Sequence, residues 1–216
     1  MLLAEDLLLL SYDDDTGRKS GVGNLDYALA GAVLIDLADL GRLDVTEKGR
    51  LTVVDDAPTG QAVLDDWLGK VAKYEGKKPK DAVSGLSSGL ADRLLATLAE
   101  RGILREEKGK VLGIFPTTRW PAEDSSHELA LRERLRTVLV SGAEPDERTA
   151  PLIALLSAVD AVGEVVEKHE RKDAKQRAEQ IAEGDWASAA TKKAVEELTA
   201  AVAAAVIVPT VITGTS

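Results

Sequence analysis

Residues 24–40, NLDYALAGAVLIDLADL, limit this chain more than any other stretch. Asn24 has the chemistry of an N-cap, a side-chain oxygen able to accept from a free N–H of the first turn. Gly41 supplies the left-handed residue that ends a helix. Between them Leu29, Ala32, Val33, Leu34, Ile35, Leu37 and Leu40 occupy most of the circumference. A helix that is apolar all round belongs in the interior, so other elements must surround it.

The rest of the chain can supply them. With 216 residues, 44% hydrophobic and 30% charged, it is globular and long enough for one well-packed domain. Three Trp, three Tyr and one Phe leave the core to Leu, Val, Ile and Ala, and no cysteine provides a disulfide or a thiolate. The opening MLLAEDLLLL carries acids where a signal peptide needs bases. The apolar run 200–208 is stopped by Pro209 and is shorter than the ~20 residues of a membrane span. The expectation is a soluble protein, cytoplasmic or peripheral to a membrane. A net charge of -10 speaks against nucleic-acid or anionic-membrane binding by the surface as a whole, though not by a local basic face.

In chain order, 2–10 reads as a short apolar helix interrupted by Glu5 and Asp6. The run 13–17 reads as a solvated turn, because its three adjacent Asp lack the alternate spacing and distal Glu of a calcium loop. Alternating residues at 42–45 and 50–54 flank Lys48-Gly49 as a β-hairpin. A helix at 61–74 has Val63, Leu64, Trp67, Leu68 and Val71 on one face, and one at 81–101 has Val83, Leu86, Leu90, Leu94, Leu95 and Leu98. A second hairpin is expected at 103–115, with 116–121 as an extended loop. LGRLDVTEKGRLTVV and RGILREEKGKVLGIF align, so helix followed by hairpin reads as a repeated unit. Ser125 and Glu128 form a capping-box pattern. They open a helix with Leu129, Leu131, Leu135, Val138 and Leu139 on its apolar side; further helices are expected at about 147–169 and 185–208, and 170–183 reads as a solvated helix or helix pair.

No nucleotide-binding loop, nucleophile elbow or zinc pattern appears. His127 and His169 sit in no motif, and the pairs Asp55-Asp56 and Asp65-Asp66 are unremarkable at this acid content. An enzyme reading therefore has no residues to name, and no cofactor or metal is implied. The helix and hairpin of 81–115 can also be drawn as a winged-helix nucleic-acid module, but the helix offers only Arg93 and Arg101 as bases. The most basic segment is 69–80, GKVAKYEGKKPK, with Lys70, Lys73, Lys77, Lys78 and Lys80 against Glu75. It reads either as a solvated loop or as a patch for phosphate or anionic headgroups.

LLAEDLLLL, LDYALAGAVLIDLADLGRL, DDAPTGQAVLDDWL, LADRLLATLAERGILREEKGKVLGIFPTTRWP and RTAPLIALLSAVDAV, in this order, resemble the Golgi phosphoprotein 3 family, which has bacterial members. The resemblance covers most of the chain. It implies a mainly α fold, a single compact helical domain over 1–216 with two short β-hairpins. It also implies a non-enzymatic peripheral membrane protein on the inner face of a membrane, an effector of phosphatidylinositol 4-phosphate and an adaptor for short protein tails. The positions at which the family places a lipid-binding tryptophan and three arginines fall here on Gly21, Ala30, Ser88 and Ala91. None carries the family residue, which removes the guanidinium–phosphate bonds that hold such a headgroup. Arg93 matches a neighbouring family arginine. The family's membrane-inserting hairpin tip maps to 107–115, with Val111, Leu112, Ile114 and Phe115 as its apolar residues; insertion and packing on the core are both open readings. Lipid-headgroup candidates are thus Lys70, Lys73, Lys77, Lys78, Lys80 and Arg93.

Overall fold

The computed structural model describes residues 1–20, 22–111, 114–184 and 192–206. Its helices are α1 (Leu3–Leu9), α2 (Leu25–Asp39), α3 (Ala62–Val71), α4 (Pro79–Leu86), α5 (Leu90–Glu100), α6 (Ser126–Leu139), α7 (Thr149–Ala158), α8 (Arg171–Ala182) and α9 (Lys192–Val206). Two antiparallel hairpins pair β1 (Leu43–Val45) with β2 (Leu51–Val53) and β3 (Glu107–Val111) with β4 (Phe115–Arg119). The protein is mainly α with two short hairpins, as the sequence predicts.

Helix α2 is the interior element. Every residue from Ala28 to Ala38 is buried. Around it pack α1, α3, α4, α5, α7, α9 and β1. Gly41 terminates it at φ +67°: the Gly41 N–H reaches the Ala38 carbonyl and the Arg42 N–H reaches that of Leu37, both at 2.9 Å. Leu40, expected inside, is half exposed because it lies past the last buried turn. Asn24 does not cap by its side chain; it is left-handed (φ 54°), and its carbonyl accepts from Tyr27 and Ala28. Gly31 faces α9, where a Cβ would overlap the Val202 methyl, so the glycine sets how closely the two helices approach.

Several boundaries differ from expectation. The helix predicted at 81–101 is two helices. The chain turns at Gly89 (φ +75°), and the indole N–H of the buried Trp67 donates to the Leu86 carbonyl at 2.9 Å. A side chain thereby satisfies a helix-end carbonyl that a continuing helix would have used. Helix α7 stops at Ala158, not 169: Asp160 turns left-handed (φ 56°) and the Ala161 N–H returns to Leu156 at 2.8 Å. Ser125 makes no side-chain cap; the Ser126 N–H donates to Asp124 instead. Helix α8 is charged, yet it buries Ala174, Ala178 and Ile181. Of the helix expected at 185–208, residues 192–206 are described and the remainder lies outside the described residues.

The second hairpin is shifted relative to the expected one. Gly109 pairs with Thr117 inside the ladder, and 116–119, expected as loop, is strand β4. Leu104 forms only an isolated bridge with Ala122. In the first hairpin, by contrast, Gly49 (φ +65°) is the turn. The matching Lys-Gly pairs therefore occupy different structural positions, and the apparent repeat is one of sequence, not of hairpin register.

Candidate functional site

The lysine-rich segment is ordered by its neighbours and is not a loop throughout. Lys70 lies in the last turn of α3, Lys73 in a 3-10 turn over Ala72–Tyr74, Lys78 at the N-cap position of α4 and Lys80 in its first turn. Pro79 opens α4, where its missing N–H has no helical partner to lose. The Gly76 N–H donates to the Leu51 carbonyl and the Leu51 N–H to that of Lys77, both at 2.9 Å, so the segment runs beside β2. All five lysines are exposed. Lys70 stacks over the Trp67 ring at 3.3 Å and Lys77 lies 5.4 Å from the Tyr74 ring centre. Glu75, the lone acid of the segment, accepts from the Val53 N–H at 2.7 Å. Among the described residues, lysine ion pairs occur at Lys108 and Lys175 and at none of these five. The same arrangement brings up Lys48 and Arg50 from the first hairpin, with Arg50 reaching the Gly76 carbonyl. Sequence spacing did not indicate that junction.

The positions matching the family's lipid ligands differ in environment. Gly21 lies outside the described residues. Ala30 is fully buried in α2, Ser88 is exposed at the α4–α5 turn, and Ala91 is half-buried. Arg93 is held by Asp66 at 3.0 Å. The nearby phenol of Tyr12 is pushed above its ordinary range by burial first, then by the charges of Asp92 and Asp26.

At the hairpin tip, Ile114 is 70% exposed. Val111 and Phe115 close the ladder as its last pair, and Leu112 and the side chains of Val111 and Phe115 lie outside what is described. Trp120 is half-buried; its N–H donates to the Gly17 carbonyl at 2.9 Å and fixes the base of the hairpin against 14–17.

One polar cluster was hidden in the sequence. Glu5 and Asp6 do not interrupt α1; they are buried in it, and Asp36 of α2 joins them. Asp36 accepts the N–H groups of Leu3 (2.9 Å) and Ala4 (3.3 Å), capping α1 from another helix. Asp6 pairs with His127 Nε2 and with Arg148, each at 2.7 Å, and Glu5 pairs with Arg101 at 2.6 Å. Burial raises the Asp36 carboxyl to about 7. Glu128, buried beside Arg132, is also raised to about 7, by burial and then a hydrogen bond with Asp14. The partners come from distant segments, so this cluster ties α1 into the fold.

These pairings also bear on the other readings. Arg93 and Arg101, the two bases of the winged-helix drawing, are each engaged by a carboxylate. Asp13 Oδ1 accepts from the Thr16 N–H and hydroxyl at 2.7 and 2.6 Å, as a solvated turn does. Among the described residues, no group of three or more acidic or histidine side chains could hold a metal, and no helix is long and apolar enough to cross a membrane.

A buried central helix ringed by helices, with two small hairpins and a lysine-rich segment on an outer edge, defines the mainly α class of hairpin-bearing helical proteins. Within it, the chain belongs to the Golgi phosphoprotein 3 family, whose model (GPP34) matches residues 3–198. It is similar to vacuolar protein sorting-associated protein 74 of Eremothecium gossypii, at 30% identity over 167 residues. That alignment covers 65% of this chain and 49% of the relative, so the chain spans about half the length of the curated relative it matches.

Proposed function

We propose that this protein is a non-enzymatic, peripheral adaptor that contacts anionic lipid through the lysine edge of 69–80, with the second hairpin as an apolar contact. One observation carries the reading. Lys73, Lys78 and Lys80 are exposed and without ion pairs among the described residues, while Glu75 is turned toward the Val53 N–H. In a protein of net charge -10 such a patch is a local exception, and near an anionic surface each lysine contributes ~1 kcal/mol. Family membership supports the adaptor role and protein tails as partners. The substituted ligand positions, with Ala30 buried and Asp26 and Asp92 nearby, support headgroup contact away from the family's phosphoinositide site.

Flotation with vesicles containing phosphatidylinositol or its phosphates, at low and high salt, tests the proposal. Co-flotation that weakens with salt and with paired Lys73→Glu and Lys77→Glu changes is expected. Absence of co-flotation at low salt overturns the lipid contact and leaves the fold assignment standing.

A further inference from the structure

The first hairpin's turn, the start of α4 and the C-terminal half of α9 border an open groove of about 340 Å³. Its wall is cationic, built from Lys48 of the turn and from Lys78 and Lys80 on either side of Pro79. Its floor is apolar and shallow, made by alanines of α9 including Ala200, Ala201 and Ala204. Glu197 also lines it, with its carboxylate toward Gly49. None of these three lysines has an ion pair among the described residues, so the wall keeps a net positive charge even against Glu197. The N-terminal end of α4, eight residues long, adds its partial positive charge on the same side.

We propose that this groove seats the headgroup of one anionic glycerophospholipid, its phosphate on Lys48, Lys78 and Lys80 and its glycerol carbons on the alanine floor. The inference rests on the lysine edge being a lipid contact and assigns that contact a defined pocket. A bare phosphate would leave the alanines wet, whereas an ester of phosphate covers them. The remaining lysines favour a membrane over a soluble phosphate ester. Lys70, Lys73 and Lys77 extend the positive charge along the exposed edge beyond the groove, where a single soluble ligand gains nothing but a charged sheet does. Lys48 is the discriminating residue, because it belongs to the groove and lies outside 69–80.

The test is calorimetric titration of the full chain with dibutyryl phosphatidic acid as a monomer, and separately with glycerol 3-phosphate, alongside flotation on phosphatidic acid vesicles. Reversing one lysine of the wall, Lys48→Glu, is expected to weaken monomer binding about 30-fold, from two charge units at ~1 kcal/mol each for contact with a phosphate in water. Lys73→Glu, outside the groove, is expected to change monomer binding less than about twofold and to reduce flotation only. Equal effects of the two variants on monomer binding overturn the groove. Intact flotation without monomer binding also overturns it and leaves the lysine edge as a diffuse contact. Monomer binding without flotation keeps the groove and removes the membrane reading. Glycerol 3-phosphate binding as tightly as the short-chain lipid overturns the lipid assignment in favour of a soluble phosphate ester.

Discussion

Asp36→Asn should change how stability depends on pH. The Asp36 carboxyl is 7% exposed and accepts two N–H groups at the start of α1. Burial raises it to about 7 from 3.8, against the lowering effect of those two bonds and of Arg148. A carboxyl raised on folding binds its proton more tightly in the folded state. Its stabilising contribution is therefore complete below about 4 and is lost as pH rises to about 7. Each tenfold gain in proton affinity on folding corresponds to about 1.4 kcal/mol, so Asp36 should remove about 2–3 kcal/mol between pH 5 and pH 8. Asparagine cannot titrate, and it keeps one acceptor oxygen at the cost of about 1 kcal/mol for the second bond. Urea unfolding followed by tryptophan fluorescence, at pH 5, 6, 7 and 8, gives both stabilities. The wild-type advantage over the variant should shrink by about 2–3 kcal/mol across that range. A difference that is flat with pH would refute the reasoning. One that grows with pH would mean that the α1 N–H groups and Arg148 outweigh burial.

Three further outcomes follow from the same structure. Arg148→Met removes one of the two ion-pair partners of the buried Asp6 and leaves His127, and should destabilise by about 1–3 kcal/mol, discounted because the arginine side chain is 44% exposed; thermal melts at pH 7 would measure it. Gly31→Ala places a methyl against Val202 and should cost about 1–3 kcal/mol, with amide exchange in α9 accelerating more than in α5. Ile114→Glu should leave stability within about 0.5 kcal/mol. The same substitution should reduce high-salt flotation about tenfold if the hairpin tip inserts, and an unchanged flotation would mean that the hairpin stays out of the bilayer.

The interior was legible because its signals are local. The apolar circumference of 24–40 and the stop at Gly41 need no knowledge of the rest of the chain, and both are realised. What sequence could not show is decided at long range. Glu5 and Asp6 look like interruptions of an apolar run because their partners Arg101, His127 and Arg148 lie 96, 121 and 142 residues away. The split of 81–101 depends on the Trp67 indole, contributed by α3. Asp160 ends α7 without the glycine that would have announced it. At the candidate site, the composition of 69–80 was plain, but Lys48 joins it only through backbone bonds between Leu51 and the 76–77 strip.

The notch at Gly31 has a consequence for biosynthesis. One face of the buried central helix is covered by α9, which begins at Lys192 and is the last element described. As the chain leaves the ribosome, α2 is made before α9 and must keep that face uncovered until residues 192–206 have been translated. Ordered packing of the centre thus waits for α9, and the nascent chain presents an apolar target to chaperones in the interval.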